Sequence, residues 1–344
     1  MAKDKTQLLD DSEFIIVHPK EFKKICIDHA YNSESVGVIG PPGCGKTEIV
    51  CQVADIVGKP MLSPFNCVLS DGVDMKGIPS FNHDKTSVTW VKDKRWLTAV
   101  EIATTILADE LGQGNTGSMN SMASVIQEKR IDDVYLHPDT WVVWTGNRQQ
   151  DKCGTTRIPA HIYNRSFMYE LAVSAQDHIE YEIARADTDI LTCRYLRMKG
   201  DTAYTFDPAQ IVNATARAWS VVARKLFKNP DTTMPTIAGR IGRGMATELM
   251  AFRKIFHTLP PQEEVLLTPK KARVPEEISA QFLITDMLVD IASANNFDSL
   301  VTYIKRMTPD MQAKFVSDAM QRHPEVVSTR AFTEWGVKFN DVLR

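Results

Sequence analysis

Eight residues, Gly40-Pro41-Pro42-Gly43-Cys44-Gly45-Lys46-Thr47, carry the spacing G-x-x-x-x-G-K-T. That spacing suits a nucleoside triphosphate. Glycines let backbone N–H groups curl around phosphate oxygens, and a following helix adds the positive end of its dipole. Lys46 would reach the β- and γ-phosphates, and the Thr47 hydroxyl would face Mg²⁺. Glu48, the next residue, is counted with this binding set. Cys44 falls at a variable loop position and reads as small filler.

Two further places carry chemistry. The apolar run Thr105-Ile106-Leu107-Ala108 ends in Asp109 and Glu110. Asp109 would hold Mg²⁺ beside Thr47, directly or through water, and Glu110 would polarise the attacking water. Two carboxylates are needed because the tasks conflict: one neutralises the metal, the other must accept a proton. A second run, Trp141-Val142-Val143-Trp144-Thr145-Gly146, ends on Asn147, whose amide would orient water beside Glu110 and the γ-phosphate. Alone, Asp-Glu reads as solvated loop charge and Gly-Asn as a turn. Their order, with the carboxylates about sixty residues after the loop, favours the chemical reading.

These groups need a parallel sheet to position them. Strand candidates are residues 36–39, 61–65, 105–108, 141–145 and 167–171, with helical patterns between them, as crossovers require. Strand signals fade after residue 172. Segments 209–227, 244–257 and 279–294 carry helical periodicity, and Pro269 and Pro275 bracket a polar loop. The expected fold class is α/β: a phosphate-loop parallel sheet sandwiched by helices over 1–172, followed by a helical domain over 173–344.

Composition excludes several alternatives. The chain has 344 residues, 24% charged and 43% hydrophobic, near globular averages. It has no apolar run of about 18 residues, so no membrane span is expected. The start, Met-Ala-Lys-Asp-Lys-Thr-Gln, lacks the apolar core of a secretory signal. A net charge of -3 gives no global push toward nucleic acid. The six cysteines, Cys26, Cys44, Cys51, Cys67, Cys153 and Cys193, form no C-x-x-C pair, which points to reduced thiols and a cytoplasmic location. The eight histidines show no ligand spacing.

Phosphate loop, carboxylate strand and amide strand in this order resemble the AAA+ ATPases. Details resemble the MoxR branch, related to the CbbQ-type activators. The segment at about 70–97, opening Ser70-Asp71-Gly72-Val73-Asp74-Met75-Lys76-Gly77, looks like that branch's insertion. Leu107-Ala108-Asp109-Glu110-Leu111 is similar to its L-A-D-E-I-N stretch. Val134-Tyr135-Leu136-His137-Pro138 would complete a hairpin, about 129–140, before the amide strand. Ile158-Pro159 through Asn164-Arg165-Ser166-Phe167 looks like its L-P-x-x-x-x-D-R-F. Phe206-Asp207-Pro208 and Thr215-Ala216-Arg217-Ala218-Trp219 resemble the F-P and S-P-R-x-W motifs of short, phage-type members. The Asn common after the family's carboxylates appears as Gln113 or is absent, and three further departures stand out. Asn164 replaces an acidic residue, Ala216 replaces a proline, and Arg148 follows Asn147 where the family has proline.

The resemblance implies Mg²⁺-dependent ATP hydrolysis by a homo-oligomeric ring, most often a hexamer, with a helical lid and C-terminal helical extension. Arg165 would be the finger acting on the neighbouring subunit's γ-phosphate, with Arg157 its rival. Arg217 would be the lid sensor, with Arg240 and Arg243 competing for that role. The partner would be a protein to be remodelled, such as one carrying a von Willebrand A domain. A nucleic-acid motor or loader is the alternative. It would use Lys92, Lys94, Arg95 and Trp96, or Lys129 and Arg130, in the pore. A slow nucleotide-gated scaffold is a third reading, which the intact Asp109-Glu110 pair argues against.

Overall fold

Parallel strands covered by helices on both faces read as unbroken apolar runs. Two such runs, β2 (Val36–Ile39) and β9 (Trp141–Gly146), are buried at every residue. The protein is described by a computed structural model at residues 14–69, 75–148, 151 and 158–338. These fall into two units. One comprises residues up to Tyr181 with Tyr204–Ser220; the other comprises Glu182–Ala203 with Val221 onward.

The first unit is built on six parallel strands in the order β1 (Ile15–Val17), β10 (Phe167–Leu171), β2, β9, β6 (Thr105–Asp109), β3 (Phe65–Asn66). Alternation along the strands sends side chains to opposite faces. Val36, Val38, Leu107, Trp141 and Val143 pack with Phe22 and Cys26 of α1 (Pro19–Tyr31) and Ile49, Val50 and Val53 of α2 (Lys46–Val57). Ile106, Ala108, Val142 and Trp144 pack on the other face. Their neighbours there are Trp96 of α3 (Lys94–Glu101) and Met119, Met122 and Ile126 of α4 (Thr116–Glu128). Gly37 on β2 is required by this packing, since an added Cβ would lie 2.5 Å from the Trp144 ring and from Met168 Sδ.

Two antiparallel hairpins lie outside the sheet: β4 (Ile78–Phe81) with β5 (Val88–Val91), and β7 (Arg130–Ile131) with β8 (Val134–Tyr135). Helices α5 (Ala160–Tyr163) and α6 (Ala175–Ile183) flank β10 in the chain. Lys92 joins them. Its side chain is 6% exposed and its ammonium reaches Asp132 Oδ2 at 3.2 Å and Asp133 Oδ1 at 3.0 Å.

Some expected boundaries moved. The 61–65 strand shrinks to Phe65–Asn66, with Met61 forming a lone bridge to Thr105. Pro60 and Pro64 have no N–H to give to a ladder. The helix expected over 209–227 begins only at Ala216, as α8 (Ala216–Lys228). Asp207 holds the preceding turn, accepting from the Ala209 N–H at 2.9 Å. The segment 204–220 groups with the sheet unit, whereas a single cut at residue 172 would separate it. Its backbone is tied back there, with the Arg217 N–H donating to Gly43 O at 3.3 Å.

The second unit is helical. It includes α7 (Ile190–Lys199), α9 (Met234–Ile241), α10 (Arg243–Phe256), α11 (Gln262–Leu267), α12 (Ile278–Asp290), α13 (Phe297–Ile304), α14 (Pro309–Arg322) and α15 (Arg330–Lys338). Its apolar core joins Ile284 and Leu288 to Phe297, Leu300, Phe315 and Trp335. Asp286 is fully buried and ion-paired to Arg194, Arg197 and Arg322, at 2.9, 2.6 and 3.1 Å. Among the described residues no helix is long and apolar enough to cross a membrane.

Candidate active site

The phosphate loop leaves the buried end of β2 and turns into α2. Its conformation needs glycine at two points, Gly43 at φ +73° and Gly45 at φ +91°, the left-handed region where a side chain is strained. Gly45 caps α2, so Lys46 and Thr47 are its first two residues and their N–H groups lie at the helix start. Gly40 has backbone against it: an added Cβ would lie 2.8 Å from Leu171 O. Pro41 and Pro42 complete the loop, and Cys44 is buried, as a filler residue should be.

Lys46 bends back over the loop. Its ammonium donates to Gly40 O at 2.8 Å, Pro41 O at 3.1 Å and Asn147 Oδ1 at 3.1 Å. Asn147, at the end of β9, is thereby brought to the phosphate loop. Thr47 donates to Asp109 Oδ1 at 3.2 Å. Thr145 donates to the same oxygen at 2.6 Å and accepts from the Glu110 N–H at 3.0 Å. Glu110 itself adopts φ +55°, ψ 43°, a left-handed backbone unusual for glutamate. Glu48 faces outward on α2, accepting from Gln52 Nε2 at 3.1 Å and Tyr181 OH at 3.4 Å.

The adjacency of β2, β9 and β6 explains the convergence. In a parallel sheet, neighbouring strands end on the same edge, so Lys46, Asn147 and the Asp109-Glu110 pair emerge together despite about sixty to a hundred intervening residues. Thr47 Oγ1 and Asp109 Oδ1 form a hard-oxygen pair of the kind Mg²⁺ takes when phosphate oxygens and water complete its shell. Among the described residues no group of three His, Cys, Asp or Glu side chains could hold a metal by itself.

Arg148, next to Asn147, is engaged twice. Its Nε and Nη2 reach Asp151 at 3.1 and 2.9 Å, and Nη1 reaches Glu170 Oε1 at 3.2 Å. Thr145 is the threonine of the T-x-N stretch in the family resemblance, but its two bonds and this ion cluster were not anticipated from sequence. Neither that stretch nor an arginine after a turn says which groups the side chains will meet.

The arginines are distributed unevenly. Arg165 follows α5 (Ala160–Tyr163), is partly exposed, and makes no ion pair among the described residues. Arg157 lies outside the described residues. Arg217 is exposed in the second residue of α8, and its Cβ lies 3.2 Å from where a Cβ on Gly43 would stand. Arg240 ends α9 and Arg243 begins α10, both exposed on helices of the second unit, either side of Gly242 at φ +81°.

The basic residues of the nucleic-acid reading are mostly occupied. Lys92 is held by Asp132 and Asp133, and Arg95 stacks 3.8 Å over Phe65 while pairing with Asp93. Trp96 is fully buried, Arg130 pairs with Glu128, and Lys129 donates to Pro138 O. Lys94 is exposed.

No family model matches the chain, and no curated protein matches it. Among solved structures it is similar to a RuvB mutant from Thermotoga maritima, at 16% identity over 70% of this chain and 74% of that one, TM-score 0.39. It is also similar to NtrX from Brucella abortus in complex with ADP, at 12% identity over 98% and 70%, TM-score 0.42. At TM-scores below 0.5 these likenesses assign neither family nor activity.

Proposed function

We propose that this chain is an ATPase of the AAA+ class that hydrolyses ATP to ADP and phosphate with Mg²⁺. One observation carries the reading. A strand–glycine loop–helix junction presents Lys46 and Thr47 within hydrogen-bonding reach of Asn147 and Asp109, with Glu110 next in the chain. Phosphoryl transfer asks for little more than positioning and charge neutralisation, and this junction provides donors, a cation and carboxylates at one edge.

In this reading Gly40 to Thr47 cradle the phosphates. Lys46 exchanges its loop carbonyls and Asn147 for β- and γ-phosphate oxygens. Asn147 then orients the attacking water and Glu110 accepts its proton. Mg²⁺, held at Thr47 and Asp109, supplies charge neutralisation of the phosphates. Arg165, partly exposed and without an ion pair among the described residues, reaches a neighbouring subunit's nucleotide. Arg217 acts as lid sensor. Its backbone bond to Gly43 supports that role by placing it beside the phosphate loop.

The finer reading rests on sequence resemblance. It is a MoxR-like ring, most simply a hexamer, that remodels a protein partner such as a von Willebrand A domain protein. The described cysteines Cys26, Cys44, Cys51, Cys67 and Cys193 are unpaired thiols, which suits a reducing cytoplasm. The nucleic-acid alternative is disfavoured by the engaged state of Lys92, Arg95 and Arg130. Steeply salt-dependent binding to single strands would restore it.

The deciding experiment is steady-state phosphate release and nucleotide binding for wild type, Lys46→Ala and Glu110→Gln. The reading expects turnover in wild type, weakened binding in the first variant, and retained ATP binding with little turnover in the second. Wild type without turnover would refute the ATPase, and near-normal turnover in Glu110→Gln would remove Glu110 as base.

A further inference from the structure

We infer that Thr145 is a positioning residue that locks the two carboxylates to the strand bearing Asn147; the inference rests on the ATPase reading above. Three observations carry it. First, the Thr145 side chain is completely buried, so its hydroxyl cannot turn to solvent. Second, that one hydroxyl is used in both directions, donating to Asp109 Oδ1 at 2.6 Å and accepting from the Glu110 N–H at 3.0 Å. Third, the bond falls on a residue whose backbone is left-handed at φ +55°, a conformation that persists only where surrounding structure enforces it.

The consequence is geometric. Thr47 and Thr145 both donate to Asp109 Oδ1, so the carboxylate is set by a hydroxyl from the phosphate-loop helix on one side and one from β9 on the other. Asn147 lies two residues after Thr145, on the same strand end. Thr145 therefore fixes the ends of β6 and β9 against each other where the metal-binding carboxylate, the base and the water-orienting amide must agree. The register pairs Ala108 with Trp144, so Thr145 stands beside Asp109, one step past the last paired residues. The hydroxyl bonds carry the contact between the two strands to that step.

Valine keeps the shape of threonine and loses both bonds; serine keeps the hydroxyl and loses the methyl. Full-length Thr145→Val and Thr145→Ser are compared with wild type for ATP turnover, and for binding of a fluorescent ADP analogue. Thr145→Val is expected to lower kcat by about 10–100-fold, since a displacement near 1 Å costs that much, while analogue affinity stays within about three-fold. Thr145→Ser is expected to stay within about three-fold of wild type on both measures. In a Glu110→Gln background Thr145→Val should cost less than it does in wild type, because the part of its effect that runs through Glu110 is already lost while the part through Asp109 remains.

Wild-type turnover in Thr145→Val, a loss in Thr145→Ser as large as that in Thr145→Val, or an additive loss in the Glu110→Gln background would each overturn the assignment. Wild type without turnover would instead sink the ATPase reading beneath it. Should Thr145→Val fail to fold, Thr145→Ala against Thr145→Ser asks the same question, as only alanine loses the hydroxyl. Equal rates there would also overturn it.

Discussion

Lys46 Nζ donates to Asn147 Oδ1 at 3.1 Å, joining the phosphate loop to the end of β9 across 101 positions of chain. The bond makes Asn147 a neighbour of the phosphate loop whether or not Gly146-Asn147 also serves as a turn. It leads to an expectation for Asn147→Ala. Nucleotide affinity should change little, because Lys46 keeps the loop carbonyls as alternative partners. The rate should fall by about 10–100-fold, as the water loses its orienting group. Equilibrium binding and single-turnover hydrolysis separate the two. A loss confined to affinity would make Asn147 a binding residue only.

Arg148 is expected to hold this corner together. Asp151 and Glu170, both largely buried, share its guanidinium, so Arg148→Ala removes a cation that both carboxylates contact. A destabilisation of about 2–3 kcal/mol is expected in denaturant unfolding. Arg148→Lys should recover little, because one ammonium cannot span two carboxylates as a planar fork does. Full recovery by lysine would reduce the cluster to simple charge balance.

The placement of these groups shows what was legible in the sequence. Glycine spacing, apolar strands and terminal carboxylates are local signals, and strands 36–39 and 167–171 match β2 and β10 to the residue. What escaped was non-local or too short for a pattern. β1 has only three residues, two of them exposed, and earns its pairing from β10. The β4–β5 hairpin was hidden by Pro79 and by having no buried face to impose alternation. Thr145 and Arg148 became interpretable only once the sheet order put β6 beside β9 and β10 near β2.

Arg165 is testable in mixed assemblies. If it acts in trans, Arg165→Ala and Glu110→Gln proteins are defective at different sites, and mixing them creates interfaces where every group is present. Part of the ATPase should return. Fingers are worth ~10³–10⁵ in rate, so even partial recovery stands well above background. Recovery that appears only when Arg157→Ala replaces Arg165→Ala would move the finger to residue 157.

The second unit should weaken in acid through Asp286. Burial pushes its carboxyl upward, but Arg197, Arg194 and Arg322 outweigh that and hold it below the usual range. A depressed folded value means the carboxylate contributes stability above the unfolded value of about 3.9, and loses it as pH falls through the folded value. Asp286→Asn should therefore cost about 3–5 kcal/mol near neutrality, where three arginines lose their common anion. The gap to wild type should narrow below about pH 4. Unfolding followed at pH 7 and pH 3 checks the sign, and a gap that widens in acid would contradict it.

Glu110 stands in a backbone region that glycine and asparagine occupy far more readily, at a cost of about 1–3 kcal/mol for a residue held there. With Glu110 as the proposed base, fitness for folding and fitness for turnover pull this position in opposite directions. A library varied at residue 110 and selected only for heat resistance should drift toward glycine or asparagine. The same library selected for turnover should return to glutamate. An inactive paralogue descended from this chain would be expected to lose Glu110 among its first changes, because there decay of activity is rewarded with a firmer fold.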